Sequence, residues 1–371
     1  MSYMAKRILH FLPTLEVSSG STAVVMNYYR NINRDNIQFD FLYFEESETS
    51  YISEIQRLGG RVYKIHRPGF SRYSIIELSE FFEQHYGEWA AFHCHPVYAA
   101  VTMGWIAKKY GIRHIIQHSH SSQFGNTKKS SIRNYIISRL NFLTVTDYFA
   151  CSREAEKLLG WKFVYKDKVH ILNNAIDCER FRFSHERRKK IREEYGISEN
   201  TVVFGHSGRF SPEKNHNYLI EVFSAYYKQN SNSKLMLLGD GEGRDSIAAN
   251  AKKHNIEEQI IFLGRRDNPE DFLCAMDFFV FPSFYEGLSL ALVEAQCSGL
   301  CCYVSENVDH KTRQIDTYFE FSLSEAPAQI AAVIPKEIPK SNRFQCYDKL
   351  KESELNLAKE ANKLETYYMQ F

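Results

Sequence analysis

The chain has 371 residues, 44% of them hydrophobic and 25% charged, with a formal net charge of +1. That length suits two domains better than one, and the composition excludes a collagen, a coiled coil and a disordered chain. The near-neutral total hides a division: residues 1–182 carry 23 Lys and Arg against 17 Asp and Glu, a balance of +6, and the rest 23 against 28, a balance of −5.

The first half also holds nine of the 14 histidines, so an anionic partner or surface is drawn to it. The basic excess is spread over a whole domain, and no nucleic acid is expected as a partner. Eight cysteines occur without a CxxC pair. Cys94, Cys151, Cys274, Cys301 and Cys302 sit in apolar runs, where a free thiol behaves as a small buried hydrophobe, so a reducing compartment fits. The opening MSYMAKRILHFLPTL is too short in its apolar run for a signal peptide, and no stretch approaches the ~20 apolar residues of a spanning helix. The expected location is the cytoplasm, with any membrane contact made peripherally from the inner face.

In chain order, strand-like apolar runs fall at 7–12, 39–44, 61–65, 89–93, 114–118, 148–151 and 169–172, with helical spacing between them, as at 51–58 and 74–85. This alternation predicts a mostly parallel sheet covered on both faces. Within it the histidines of FHCHP (His93, His95) and HSHSS (His118, His120) alternate along strands. Each pair therefore shares a face without a metal-ligand spacing, and structural or sugar-contacting roles are expected of them. The basic, apolar-striped segment 128–143 (Lys128, Lys129, Arg133 and Arg139 with Ile132, Ile136, Ile137, Leu140 and Leu143) reads either as a helix resting on anionic lipid or as a domain helix facing the sheet. The second is favoured because such helices are common.

A charged stretch at 181–196, FRFSHERRKKIREEYG, separates this unit from a second one and reads as a short linker helix. Beyond it the alternation restarts: TVVFGHSG, a helix near 217–227, KLMLLG, a helix near 244–254, QIIFLG, a helix near 269–276, DFFVFPS, a helix near 289–298, and LCCYVS. The domains predicted are 1–182, 183–342, and a closing helical segment 343–371 with Leu350, Leu355, Leu357, Ala361 and Leu364 as its buried stripe. Two doubly wound domains place ligands outside the carboxyl ends of their strands.

Two passages carry chemistry. In FPSFYEGLSLALVEAQCSG a buried strand ends at Pro282, Glu286 and Gly287 lie in a loop, and a helix starts near Ser289. Gly287 lets the backbone approach a ligand, and the amides of Gly287, Leu288 and Ser289 can hold a phosphate oxygen at the positive helix end. Glu294 lies one to two turns further along. In GRFSPEKN, Arg209 and Lys214 follow another strand, a planar fork and a point charge suited to one diphosphate. LLGDGEGRD resembles a nucleotide loop but lacks GxGxxG spacing, and a strand-to-helix turn explains it as well.

These motifs, Glu286 and Glu294 as E-x7-E, GRFSPEKN, FLGRRDNPEDFLCAMDFFVFPS, HILNNAID and HSHSS, occur in the order seen in the retaining glycosyltransferases of family 4, which the sequence resembles over residues 5–305. The resemblance implies a GT-B fold of two Rossmann-like, doubly wound parallel-sheet domains facing a central cleft. It implies a nucleotide diphosphate sugar, a UDP-sugar by preference, as donor, and a saccharide, lipid-linked in relatives that build surface polysaccharides, as acceptor. By the same resemblance Arg209 and Lys214 bind the diphosphate, Glu286 contacts the hexose, Glu294 the ribose, and Gly264 and Arg265 lie near the nucleobase. Gly20, and His118 or His120, reach from the first domain toward the phosphates and the sugar. The family usually has paired glycines and a Glu in the first loop, where this chain reads LEVSSGSTAVV.

No DxD triplet is present, and no metal or other cofactor is expected, since cations and helix amides supply the charge compensation. The alternatives are a sugar-nucleotide epimerase of the same architecture, a non-catalytic sugar-nucleotide-binding protein, and a glycosidase using Glu286 and Glu294. The last leaves the phosphate-binding loops without a role.

Overall fold

The computed structural model describes residues 5–17, 19–69, 71–120, 128–161, 168–339 and 343–371. The chain divides into two compact units, residues 1–175 with 357–371, and residues 176–356.

Among the described residues unit 1 holds seven strands: β1 (Lys6–Phe11), β2 (Ile37–Tyr43), β3 (Val62–Lys64), β4 (Ala91–Cys94), β5 (His114–Ser119), β6 (Asp147–Ala150) and β7 (Val169–Ile171). They form one sheet in the order β3-β2-β1-β4-β5-β6-β7, all pairs parallel. The runs are nearly all apolar because both sheet faces are covered. One face packs the helix Gly20–Asn31 and the terminal helix Leu357–Tyr368 over Ile8, Phe39, Phe41 and Phe149, and the other packs the helices Arg72–Gln84 and Ala100–Lys109 over Leu9, Phe92 and Ile115.

Unit 2 repeats the plan with β8 (Val202–Ser207), β9 (Ser233–Leu238), β10 (Ile260–Gly264), β11 (Phe278–Phe281), β12 (Cys301–Ser305) and β13 (Tyr318–Phe321). Their order is β10-β9-β8-β11-β12-β13, again all parallel. In each sheet the winding reverses once, between β1 and β4 and between β8 and β11. Adjacent connections there leave in opposite directions and open a crevice at the carboxyl ends of the strands, where ligands of such sheets bind.

Three expectations change. The charged stretch is helical as expected but is not the link between the units, since the chain leaves unit 1 at Ala175 rather than at Arg182. The helix His185–Glu194 belongs to unit 2, where Arg188 and Arg192 donate to Asp277 at 2.8 and 2.7 Å while Asp277 also accepts from the Val203 amide at 2.8 Å. Arg192 is 1% exposed, and burial lowers its pKa against the pull of Asp277.

The segment 343–371 is likewise two helices. Arg343–Glu352 stays with unit 2, its guanidinium at Arg343 donating to the carbonyls of Leu273, Met276 and Ser298, and only residues 357–371 join unit 1. The break lies at Ser353, whose hydroxyl accepts from the Leu355 amide at 3.1 Å.

Third, the helix Lys128–Ser138 and the turn Asn141–Leu143 do not turn their apolar stripe to the sheet: Ile132 is 63%, Ile136 56% and Leu143 61% exposed. The sheet face beneath is already filled by Ala100–Lys109. The segment is anchored instead by polar groups, Asn141 to Gln117 Oε1 at 2.6 Å and Thr144 to the Ala100 carbonyl at 3.1 Å.

Among the described residues no helix is long and apolar enough to cross a membrane. All eight cysteines are free, and of the five in apolar runs all but Cys151 are fully buried.

Candidate active site

Unit 2 brings the two chemistry-bearing loops together at its winding reversal. After β8 the chain runs through Arg209, makes a single tight turn at Pro212–Lys214 and enters the helix His216–Tyr227 through Asn215, which adopts a left-handed φ of 53°. After β11 it passes Glu286 and enters the helix Leu290–Cys297. The Phe284 amide donates to the Glu213 carbonyl at 2.9 Å, so one loop is hydrogen-bonded to the other.

The Lys214 ammonium is ion-paired with the Glu286 carboxylate, the two side chains being 15% and 25% exposed, and lies 5.0 Å from the centre of the Phe281 ring. Glu286 is held by its backbone too, since its carbonyl accepts from the Asp309 amide at 3.0 Å. Arg209 is exposed. The Ser211 hydroxyl first, then the charges of Lys214 and Arg209, hold the Glu213 carboxyl below its ordinary range.

The glycine-rich stretch after β9 braces this cationic loop. Gly239 has φ 128°, and a Cβ there would stand 1.9 Å from the Gly208 carbonyl oxygen. The Phe210 amide donates to the Asp240 carbonyl at 3.0 Å, and the Gly243 amide to the Phe210 carbonyl at 2.9 Å. LLGDGEGRD forms the strand-to-helix turn that its sequence allows, and its glycines are required by close backbone approach.

Gly264 closes β10 with φ 68° and accepts from the Gly239 amide at 3.0 Å, while Arg265 beside it is exposed. At Gly287 a Cβ would meet nothing within 4 Å, so the fold itself imposes no need for glycine there. No side chain caps the helix that begins at Leu290, and Ser289 is buried at its start. Its leading amides thus face no competing side-chain acceptor. Glu294 is half-buried on that helix, and burial pushes its carboxyl up to about 7, Arg180 opposing and Glu270 adding to the shift.

Two histidines that the sequence reading passed over line this loop from below. His206, fully buried, gives Nδ1 to the Val280 carbonyl at 2.9 Å, and its ring stands edge-on to His216 at 4.6 Å. Burial, with Lys214 adding, lowers His216 to about 4, and His206 also lies well below its ordinary value. Both are neutral near pH 7 and do not compete with Lys214 for an anion. Their signal was their position, one just before GRFSPEKN and one just after it. The exposed rings of Phe284 (51%) and Tyr285 (68%) beside Glu286 were missed as well.

In unit 1, Gly20 is the exposed first residue of its helix, with open space where a Cβ would be, and the Ser19 side chain caps the turn by accepting from the Thr22 amide. His118 is 2% exposed, buried between His93, His95 and Phe149, whereas His120 is half-buried at the rim and joined through Nε2 to His95 Nδ1 at 2.7 Å. Of the two, His120 is the less buried, with Nε2 on His95 and Nδ1 itself buried. Ser121 and Ser122 of HSHSS lie outside the described residues.

Two parallel-sheet domains, the second presenting a cationic loop and an uncapped helix start at one strand reversal, define a GT-B glycosyltransferase, and comparison with known proteins agrees. Residues 187–320 match the family described as Glycosyl transferases group 1. The chain is 30% identical over 315 residues to EpsF of Bacillus subtilis, named as a glycosyltransferase, covering 84% of this chain and 82% of that protein. It therefore belongs to the group 1 glycosyltransferases.

A UDP-Gal:alpha-D-GlcNAc-diphosphoundecaprenol alpha-1,3-galactosyltransferase of Escherichia coli is 28% identical over 219 residues, 57% of each chain. The capsular polysaccharide biosynthesis glycosyltransferase CapH of Staphylococcus aureus is 24% identical over 266 residues, 69% of this chain and 71% of that one. Among solved structures, HepE of Anabaena in complex with UDP aligns with a TM-score of 0.77 at 14% identity, over 99% of this chain and 100% of that one.

Proposed function

We propose that the protein is a retaining hexosyltransferase of family 4, moving a hexose from a UDP-sugar to a saccharide on a lipid diphosphate carrier during surface polysaccharide synthesis. The observation that carries this is the union of the two unit 2 loops, with the Lys214 ammonium against Glu286 and the Glu213 to Phe284 hydrogen bond beneath. Breaking a sugar to diphosphate bond leaves negative charge on the diphosphate. Arg209, Lys214 and the amides of Gly287, Leu288 and Ser289 stabilise that charge more as the bond lengthens than before. A phosphate arriving at Lys214 draws it from Glu286, whose freed carboxylate accepts from a hexose hydroxyl. Glu294 accepts from the ribose, and Gly264 and Arg265 border the base.

On this reading the donor phosphates need no metal. Acceptor binding falls to unit 1, with His120 at its rim and His118 positioning His120. Attack from the face that the diphosphate leaves, with a departing phosphate oxygen taking the acceptor proton, keeps the anomeric configuration. UDP-sugar turnover should release UDP only when a diphospholipid-linked saccharide is present, and the new linkage should be α from an α-linked donor. UDP release without acceptor points to hydrolysis or epimerase chemistry and overturns the proposal, and an inverted linkage overturns the retaining mechanism.

The relatives named for diphosphoundecaprenol substrates and the exposed stripe of Ile132, Ile136 and Leu143 also support peripheral contact with the inner face of the membrane. Ile132 and Ile136 lie on a helix carrying Lys129 and Arg133, a pattern suited to anionic lipid. Ile132→Ser with Ile136→Ser should abolish sedimentation with phosphatidylglycerol vesicles while UDP binding persists; unchanged sedimentation removes this contact.

A further inference from the structure

The carboxyl ends of β1, β4 and β5 gather five histidines in the interior of unit 1. His10 pairs with His93 in register across β1 and β4. The rings stack: His93 on His95 at 4.7 Å, His10 on His93 at 5.0 Å, and His118 on His120 at 4.0 Å. His10, His93, His95 and His118 are 2%, 1%, 6% and 2% exposed.

A hydrogen-bonded chain runs from His10 Nδ1 to His95 Nε2 at 3.0 Å and from His95 Nδ1 to His120 Nε2 at 2.7 Å. Among the described residues it leaves His93 Nε2 and His118 Nε2 buried without a partner, and likewise His10 Nε2 and His120 Nδ1 at the two ends of the chain. Unpaired imidazole nitrogens in a protein interior are costly unless something binds them. One ring nitrogen from each of His93, His95 and His118 lies within 4.8 Å of the others.

We propose that His93, His95 and His118 form a transition-metal site, taking a borderline cation such as Zn2+, Co2+ or Ni2+ and leaving a fourth position open. Imidazole suits these ions, whereas Mg2+ and Ca2+ prefer oxygen ligands. In a tetrahedral site the nitrogens stand roughly 3.3 Å apart, as Zn–N bonds of about 2.0–2.1 Å require. The rings close by small rotations, and His95 gives up one of its two imidazole hydrogen bonds. His93 has the outer partner that such ligands use: its Nδ1 meets the Tyr368 hydroxyl at 2.6 Å, leaving Nε2 for the ion. Burial first, then mutual repulsion, holds His93, His95 and His118 well below their ordinary pKa, so all three offer lone pairs at neutral pH. The site lies in the domain that does not hold the donor phosphates, and its test uses neither donor nor acceptor, so its failure leaves the transferase reading standing.

The experiment is a Co2+ titration of chelator-stripped, full-length protein followed by visible absorption. About one equivalent should develop tetrahedral ligand-field bands, and Zn2+ should displace them. His93→Asn and His118→Asn should each weaken uptake at least about 100-fold, and Tyr368→Phe, which keeps the ring and its packing, about 10- to 100-fold. A circular dichroism spectrum unchanged from that of the metal-free native protein verifies that each variant is folded. Absence of bands in the native protein overturns the site. So do bands that survive in the His93, His118 and Tyr368 variants alike, since exposed histidines such as His66 and His310 would then be responsible.

Discussion

The two domains solve one architectural problem with opposite chemistry. Each sheet reverses its winding once and so opens one place for a ligand. At that place unit 2 presents charge in solvent-accessible loops, Arg209 exposed and Lys214 paired with Glu286, while unit 1 presents uncharged imidazoles in its interior. The fold decides where a site stands, and the residues at the strand ends decide what it can do. Unit 2 also separates two uses of charge. Asp277, one residue before β11, binds Arg188 and Arg192 in the interior and ties helix to sheet, whereas the charges at the carboxyl ends stay open to a ligand.

The separation breaks most visibly through Asp277. Asp277→Ala leaves two buried guanidinium groups without their counterion and should cost about 3–5 kcal/mol, read by chemical denaturation. Catalysis per folded molecule should hold, and a selective loss of turnover at native stability contradicts the division. At the other end of the strands, Lys214→Ala should lower turnover by about 10²–10³-fold, the scale of one lost transition-state donor, with little change in unfolding midpoint. Gly239→Ala falls between the two kinds of charge. It strains a left-handed position and pushes on the Gly208 carbonyl, so about 1–3 kcal/mol of stability should be lost together with donor affinity.

The smallest effect is the pH dependence of Glu294, whose carboxyl sits at about 7. Because the folded value is raised, the folded state binds more protons than the unfolded one between the two values. Its contribution to stability is therefore complete below about 4.5 and lost as pH rises through about 7. If the ribose hydroxyls donate to the ionised form, UDP should bind about tenfold more tightly at pH 8 than at pH 6, and Glu294→Gln should flatten that profile. A profile identical in the variant assigns the dependence elsewhere.

How far the sequence told this in advance depends on the range of the interactions. Strands buried on both faces write themselves as local apolar runs, and both sheets were legible. So were GRFSPEKN and E-x7-E, because each motif lies at one strand end and needs only its own neighbours to be seen. The charged stretch at 181–196 was misread because the partner of Arg192 is Asp277, 85 residues away. The break at Ser353 was missed because an apolar stripe crosses it, and the outward stripe at Ile132 and Ile136 was the less favoured of two readings because periodicity shows a face without showing what meets it. The histidines of β4 and β5 were seen as two pairs, and only the strand order brings them together.

The central claim is that the cations of GRFSPEKN bind a pyrophosphate, and calorimetric titration tests it most directly by comparing UDP with uridine. In the native protein UDP should bind at least about 100-fold more tightly than uridine, and the Arg209→Ala, Lys214→Ala double variant should lose most of that preference while its uridine affinity holds. A double variant that still prefers UDP by the native ratio would contradict it.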